Sequence, residues 1–422
     1  MKAKAAAVLL VAVAMVVTSA PSFAKEKKEN LNSRIENLQK QVDDLKDQQE
    51  KEKQDKGEKK TSVGAKFPVD FYGFVAAQLF LGTARTQMYG GLNSVAAQSR
   101  VIDKATATGG RHTWFGATPQ NSRVGFDWKG SKVSDKLSMG GIFEMDFVNV
   151  LNQTSYGTSP IPRIRHLYLD LFSDRWSLIA GQNWDIFSPL NTASLSLGGN
   201  MWFLGNQGFR RPQVRLTYNA PLDDTNKLKV AISANLPTNT DDLVSSTGAN
   251  SGMPMGEALA QYNRKMKSGD FIAALSGFFG ANSVNSSYDK MAGVAGSLSI
   301  PFHKFLKLSG EFQYGQDPGV FLSYVNATGN QFKNWSVAAW GQITSQWHEK
   351  FDTAVGYGID KMGYSKIAAG NVNKNQMFFA NFRFFPVKPF YFGIEYEYLK
   401  TAYKGHGTST ANVIFSNLVY TF

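Results

Sequence analysis

Residues 390–398 read Phe390-Tyr391-Phe392-Gly393-Ile394-Glu395-Tyr396-Glu397-Tyr398. Successive side chains of an extended strand point to opposite faces. One face of this segment therefore carries Phe390, Phe392, Ile394, Tyr396 and Tyr398, and the other carries Tyr391, Gly393, Glu395 and Glu397. Residues 227–234 repeat the pattern, with Leu228, Val230, Ile232 and Ala234 opposed to Lys227, Lys229 and Ser233. A soluble sandwich buries such an apolar face. A membrane barrel turns it to lipid and turns the polar face to water.

Working outward, sixteen segments of this texture run from 69–80 to 412–422. Each has roughly the ten residues that a tilted strand needs to cross a bilayer. The connectors alternate. Long ones are 81–120, 149–162, 185–211, 236–256, 281–288, 316–333, 360–375 and 401–411, and short ones include 173–175, 267–269, 345–349 and 386–388. Short periplasmic turns and long outer loops mark bacterial outer-membrane barrels. The expected fold is all-β: a sixteen-stranded antiparallel transmembrane β-barrel over 67–422, with a short N-terminal periplasmic α-helical coiled coil. The last strand alternates Ile414, Leu418, Tyr420 and terminal Phe422, which looks like the signature read by the barrel-insertion machinery.

The N-terminal region reads as three pieces. Residues 1–24 form a signal peptide: Lys2 and Lys4, an apolar run from Ala5 to Val17, then Ser22-Phe23-Ala24 as a cleavage site. Residues 25–46 carry the heptad stripe Leu31, Ile35, Leu38, Val42, Leu45. Residues 47–66 read as a charged linker. Ile and Val at a with Leu at d favour a dimer by core rules alone. The barrel puts a trimer first.

Composition agrees with export. The chain has no cysteine, 39 glycines, 13% aromatics and a formal charge of +12. The absence of thiols excludes disulfides and thiolate metal sites. A basic exported chain points to anionic lipid or anionic solutes and away from nucleic acid. The outer membrane, with its lipid and lipopolysaccharide, is the expected location.

Four stretches resemble the DcaP-like family of trimeric outer-membrane porins. They are Phe71-Tyr72-Gly73-Phe74-Val75; Ser122-Arg123-Val124-Gly125-Phe126; Arg163-Ile164-Arg165-His166-Leu167-Tyr168-Leu169 followed by Leu178-Ile179-Ala180-Gly181-Gln182-Asn183-Trp184 and Phe187; and Arg211-Pro212-Gln213-Val214-Arg215-Leu216-Thr217-Tyr218. The resemblance spans the mature chain and is specific over 67–220. It implies a sixteen-stranded homotrimeric porin that passes small anionic solutes such as dicarboxylates. The heptad segment departs from the family in being brief and followed by a long tether.

Selectivity in such a pore comes from diameter and from charge near the narrowest point. The loop after the fifth strand, about 185–211, holds Asp185, Phe187, Trp202, Phe203 and Arg210-Arg211. Its apolar content fits either a constriction loop packed on the inner wall or a contact with a neighbouring subunit. Alternation places Arg123, Arg211, Gln213, Arg215 and Lys229 inward, together with Asp127, Glu144, Asp146, Asp170, Glu395 and Glu397. These groups either bind solute or pair with each other and stiffen the wall. Leu167, Leu169 and Leu171 point to lipid, so strict alternation turns Arg163 and Arg165 outward. A bulge near Pro162 would bring at least one back to the lumen.

No cofactor, metal site or catalytic centre is expected. The five histidines, His112, His166, His303, His348 and His406, form no metal-ligand spacing. The competing readings are an outer-membrane barrel enzyme, or a barrel serving as structural tether or sheath for a partner protein.

Overall fold

The computed structural model describes residues 69–88, 98–101, 113–149, 161–196, 201–237, 251–284, 287–316, 335–362, 367 and 369–422. The signal-peptide, coiled-coil and linker segments lie outside the described residues.

The strands are β1 (Val69–Gly82), β2 (Thr86–Met88), β3 (Gln98–Val101), β4 (Trp114–Thr118), β5 (Arg123–Ser134), β6 (Leu137–Asn149), β7 (Ile161–Phe172), β8 (Trp176–Trp184), β9 (Arg210–Pro221) and β10 (Asn226–Asn235). They continue as β11 (Met255–Met266), β12 (Gly269–Val284), β13 (Ser287–His303), β14 (Leu306–Gln316), β15 (Trp335–His348), β16 (Phe351–Met362), β17 (Val372–Val387), β18 (Phe390–Tyr403) and β19 (Gly407–Thr421). β4 and β5 pair in turn along the same edge of β1, so they form one interrupted crossing. Seventeen strands of the main sheet thus make sixteen crossings, each antiparallel to its neighbours. β2 and β3 form a separate two-stranded ladder.

The sheet closes where β1 meets β19, from Phe74↔Thr421 to Gly82↔Val413. Closure leaves no edge, which a lipid-embedded backbone requires because hydrocarbon offers no hydrogen-bond partner. Phe422 completes the seam. Its N–H donates to the Gly73 carbonyl, and its own carbonyl accepts from the Gly73 N–H, both at 3.0 Å. Its ring stacks on Phe71 at 5.3 Å.

The alternation read from the sequence is present around the ring. On β18, Ile394, Tyr396 and Tyr398 are exposed, while Gly393, Glu395 and Glu397 are buried. On β10, Val230 and Ile232 are exposed, while Ala231, Ser233 and Asn235 are buried. An exterior of this kind could not stay dispersed in water, and lipid is the solvent it fits.

Three connectors differ from expectation. Segment 401–411 is not a long loop: β18 and β19 stay paired up to Tyr403↔Gly407. Gly405 and Gly407 take positive φ of 76° and 81° in that turn, a region glycine enters without a Cβ clash. Segment 281–288 likewise continues as ladder to Val284↔Ser287. Its polar residues read as loop, whereas their pairing partners lie across the hairpin. Segment 81–120 contains β2, β3 and β4. The crossing begins at Trp114 and breaks at 119–122, where the Ser122 hydroxyl accepts from the Ala76 N–H at 3.0 Å.

Candidate functional site

Residues 185–196 leave β8 and lie across the barrel interior, and residues 201–209 lead back to β9. Ile186, Phe187, Leu195, Trp202, Leu204 and Phe209 in these stretches are all buried. Their backbone is held by side chains that alternation turns inward on the opposite strands. Glu257 of β11 accepts from the Ile186 N–H at 2.8 Å. Glu311 of β14 accepts from the Leu190 N–H at 2.9 Å and from the Ser188 hydroxyl. Gln342 of β15 accepts from the Ala193 N–H at 2.7 Å. Glu395 of β18 accepts from the Leu195 N–H and the Ser194 hydroxyl, each at 2.7 Å. Asn381 of β17 donates to the Ala193 carbonyl at 2.8 Å.

A non-helical backbone inside a membrane protein must find partners for its amides, and here carboxylates supply them. Glu395 and Glu397 therefore face inward as the sequence indicates, but they lie under the loop and not against water, at 1% and 0% exposure. Glu257 and Glu311 are functional residues that sequence reasoning missed. Their signal was an acid at an inward position of each strand, between Met255 and Leu259 on β11 and between Ser309 and Gln313 on β14.

The tip of the loop is aromatic. Trp202 lies 5.9 Å from Trp184. Arg210 stacks over the same two rings at 4.6 Å and 5.8 Å. Trp184 and Phe203 are half-buried against the Trp202–Phe209 cluster. Met201 and Phe203 have φ of 48° and 63°, left-handed values that non-glycine residues adopt at a cost. Asn375 of β17 holds that turn by donating to the Phe203 carbonyl at 2.8 Å. Trp202 and Phe203 thus sit within the barrel interior.

The wall formed by β5–β10 is basic. Arg163 and Arg165 both turn inward, at 8% and 5% exposure, although strict alternation sends them out. The register shows how: Glu144 faces His166, but Met145 faces Ile164, so one extra residue sits in β7. The bulge that turns both arginines inward lies at Arg165–His166, and a second register shift sits at Pro162, between the Asp146↔Arg163 and Asn149↔Ile161 pairs. A single inserted residue lets Arg165 and His166 share the inner face while Ile164 and Leu167 stay outside.

Arg165 Nε donates to Glu144 at 2.7 Å and its Nη1 to Asp146 at 2.8 Å. Arg123 lies 3.5 Å from Glu144 and 5.1 Å from the Phe74 ring centroid. The Tyr72 hydroxyl donates to Glu144 at 3.1 Å. Arg211 is fully buried and donates to Asp185 at 3.1 Å. Asp185 also accepts from the Phe209 N–H at 2.7 Å. Burial pushes the Asp185 carboxyl up to about 6, against the opposing pull of Arg211 and of the Phe209 hydrogen bond.

Gln213 ties β9 to the loop root by donating to the Asn183 and Trp184 carbonyls, both at 2.9 Å. Arg215 is half-buried and donates to the Trp184 carbonyl at 3.3 Å. Lys229 is half-buried on the inner face of β10, opposite Gln261 and Asn219. Asp127 pairs with Lys129, and Asp170 accepts from Ser177 at 2.7 Å.

A closed barrel with an apolar exterior, a polar interior and the loop of its fifth crossing folded inside has the porin architecture. The outer membrane channel DcaP of Acinetobacter baumannii superposes with a TM-score of 0.66 at 22% identity, covering 86% of this chain and 99% of that one. OmpF of Salmonella typhi, in complex with daunomycin, gives 0.57 at 13% identity, over 86% and 99%. An anion-selective porin from Comamonas acidovorans gives 0.54 at 12% identity, over 84% and 100%. No family model and no curated protein matches the chain. These likenesses establish the fold.

Proposed function

We propose that this chain is an outer-membrane porin: a water-filled channel for passive diffusion of small polar, anionic solutes such as carboxylates, working as a homotrimer. One observation carries the reading. The acids of β11, β14 and β18 are engaged in holding the inward loop, whereas the β5–β10 wall gathers Arg123, Arg163, Arg165, Arg211, Arg215 and Lys229 around Glu144, Asp146, Asp170 and Asp185, with Asp127 matched by Lys129. The unbalanced charge beside the loop is positive. A basic surface in a confined lumen concentrates anions, and guanidinium groups match carboxylates in shape. The DcaP-like resemblance and the likeness to an anion-selective porin agree with this sign. Seating of Phe422 at the closing seam supports its reading as the insertion signal.

The test is planar-bilayer conductance of the purified protein in a salt gradient, comparing wild type with an Arg123→Ala, Arg211→Ala, Arg215→Ala triple variant. Stepwise current with anion preference, reduced in the variant, supports the reading. Wild-type protein that carries no current refutes the pore, and unchanged ion selectivity in a conducting variant refutes the anion site.

A further inference from the structure

Three lysines gather at one place on the outer face of the barrel. The turns at 349–350 and 388–389 are short and mark the periplasmic end of β16–β18. Lys361 on β16, Lys374 on β17 and Lys400 on β18 lie at the opposite, extracellular end. Alternation puts each on the lipid-facing side, in line with the exposed Tyr357, Phe378 and Tyr398 of the same strands.

The ladder brings the three together. Lys361 and Lys374 are direct cross-strand partners, and Lys400 faces Gln376, the next outward residue after Lys374. Cβ atoms of direct partners stand about 5 Å apart, and diagonal neighbours lie within about 8 Å. Like charges placed directly opposite each other destabilise a strand pair. No nearby acid offsets them. Asp360, Glu395 and Glu397 are buried on the inner face, Asp352 is taken by Arg383, and β15 and β19 contain no acid. Among the described residues, the outer face of β16–β18 therefore holds three ammonium groups and no carboxylate.

Tyrosines set the height of the cluster. The Tyr357 hydroxyl accepts from Gln376, and the Tyr396 hydroxyl donates to Asn412 at 2.6 Å. Tyrosine collects where its ring meets hydrocarbon and its polar atom meets water. Lys400 stands one outward position beyond Tyr398, and Lys361 two beyond Tyr357, which is headgroup level. Beneath them Val355, Phe378 and Ile394 form an exposed apolar column. Lysine ammonium groups are compact charges with three donors each, suited to phosphate. The outer leaflet of an outer membrane supplies phosphate at this depth on the headgroup of lipopolysaccharide.

We propose that Lys361, Lys374 and Lys400 form a binding site for a headgroup phosphate of lipopolysaccharide, with its acyl chains laid along Val355, Phe378 and Ile394. The site is on the outer wall and is independent of the pore.

The test measures binding of bisphosphorylated lipopolysaccharide to the full protein in detergent. Wild type is compared with a Lys361→Ala, Lys374→Ala, Lys400→Ala variant and with Lys290→Ala, which removes an outward lysine at the same end of β13, away from the cluster. Heat-modifiable gel migration checks folding. Each lysine at an anionic lipid surface contributes about fivefold, so the triple variant should bind about a hundredfold more weakly, with Lys290→Ala binding as wild type. Dephosphorylated lipopolysaccharide should bind wild type as weakly as the intact lipid binds the triple variant, a comparison that needs no variant to fold. Equal binding by the triple variant and wild type, an equal loss in Lys290→Ala, or binding that ignores dephosphorylation overturns the site. Displacement of the lipid by inorganic phosphate assigns the lysines to a free anion and overturns the lipid docking. A barrel that binds the lipid and carries no current removes the pore reading and leaves the site.

Discussion

Arg163 closes on Asp146 through two parallel hydrogen bonds, Nε to Oδ1 at 3.0 Å and Nη2 to Oδ2 at 2.7 Å, with Asp146 wholly buried. Arg165 shares the same carboxylate. Replacing Asp146 by Asn leaves two buried guanidinium groups without their common counter-charge. Removing one member of a buried pair costs about 3–5 kcal/mol. The Asp146→Asn barrel should lose about that much unfolding free energy in urea titration, with a lower midpoint, and its anion preference should rise. A variant as stable as wild type would show that the pair does not support the wall.

Arg211 and Arg215 sit two residues apart on β9 but differ in surroundings. Arg211 is sealed against Asp185, whereas Arg215 is half-buried. Arg215→Ala should move the reversal potential toward cations and change stability by less than about 1 kcal/mol. Arg211→Ala should destabilise by about 3–5 kcal/mol, because the buried Asp185 loses its counter-charge and hydrogen-bond donor. Equal stability losses in the two variants would contradict this division.

Asp185 carries a pH dependence whose sign follows from its surroundings. Burial raises its carboxyl from an ordinary 3.8 to about 6 in the folded state. The folded state then binds the proton more tightly than the unfolded state. Its contribution favours folding below the unfolded value and is lost as pH rises from about 4 to 6. Unfolding midpoints measured across that window should fall with pH for this group, and the slope should flatten in Asp185→Asn. A variant with the wild-type slope would assign the dependence to other carboxyls.

Gly358 on β16 lies against the Leu204 carbonyl and the Met201 side chain of the inward loop, leaving no room for a Cβ. Gly358→Val should push the loop tip off that wall toward the open lumen. Overpacking of this kind costs about 1–3 kcal/mol. Single-channel conductance should drop in the folded variant. A larger conductance would mean that the loop retreats elsewhere.

Much of the barrel was legible because its signal is local. The β8 segment was read as 176–184 and is observed as Trp176–Trp184. The two-residue period of Leu228 to Ala234 needed nothing beyond the choice of solvent for each face. The bulge in β7 was legible only as a contradiction: Leu167, Leu169 and Leu171 demanded lipid, yet arginines stood two and four residues before Leu167. Where the extra residue sits depends on the ladder with β6, which pairs Glu144 with His166 and Asp146 with Arg163. The tight turn at 404–406 was hidden because Thr401, Ser409 and Thr410 look like loop, while their pairing lies across the hairpin.

The amino-acid order by itself determined the number of crossings, which face of each regular strand meets lipid, and where the barrel closes, since alternation is a property of neighbours in the chain. Only the tertiary structure decided which charges remain available to the lumen. Ser194 and Glu395 are 201 residues apart and meet at 2.7 Å because a loop crosses the interior. That contact takes an acid out of the water path, and the sign of the remaining charge follows from it. Burial and pairing depend on positions in space, and alternation along a strand carries no information about what lies across the barrel.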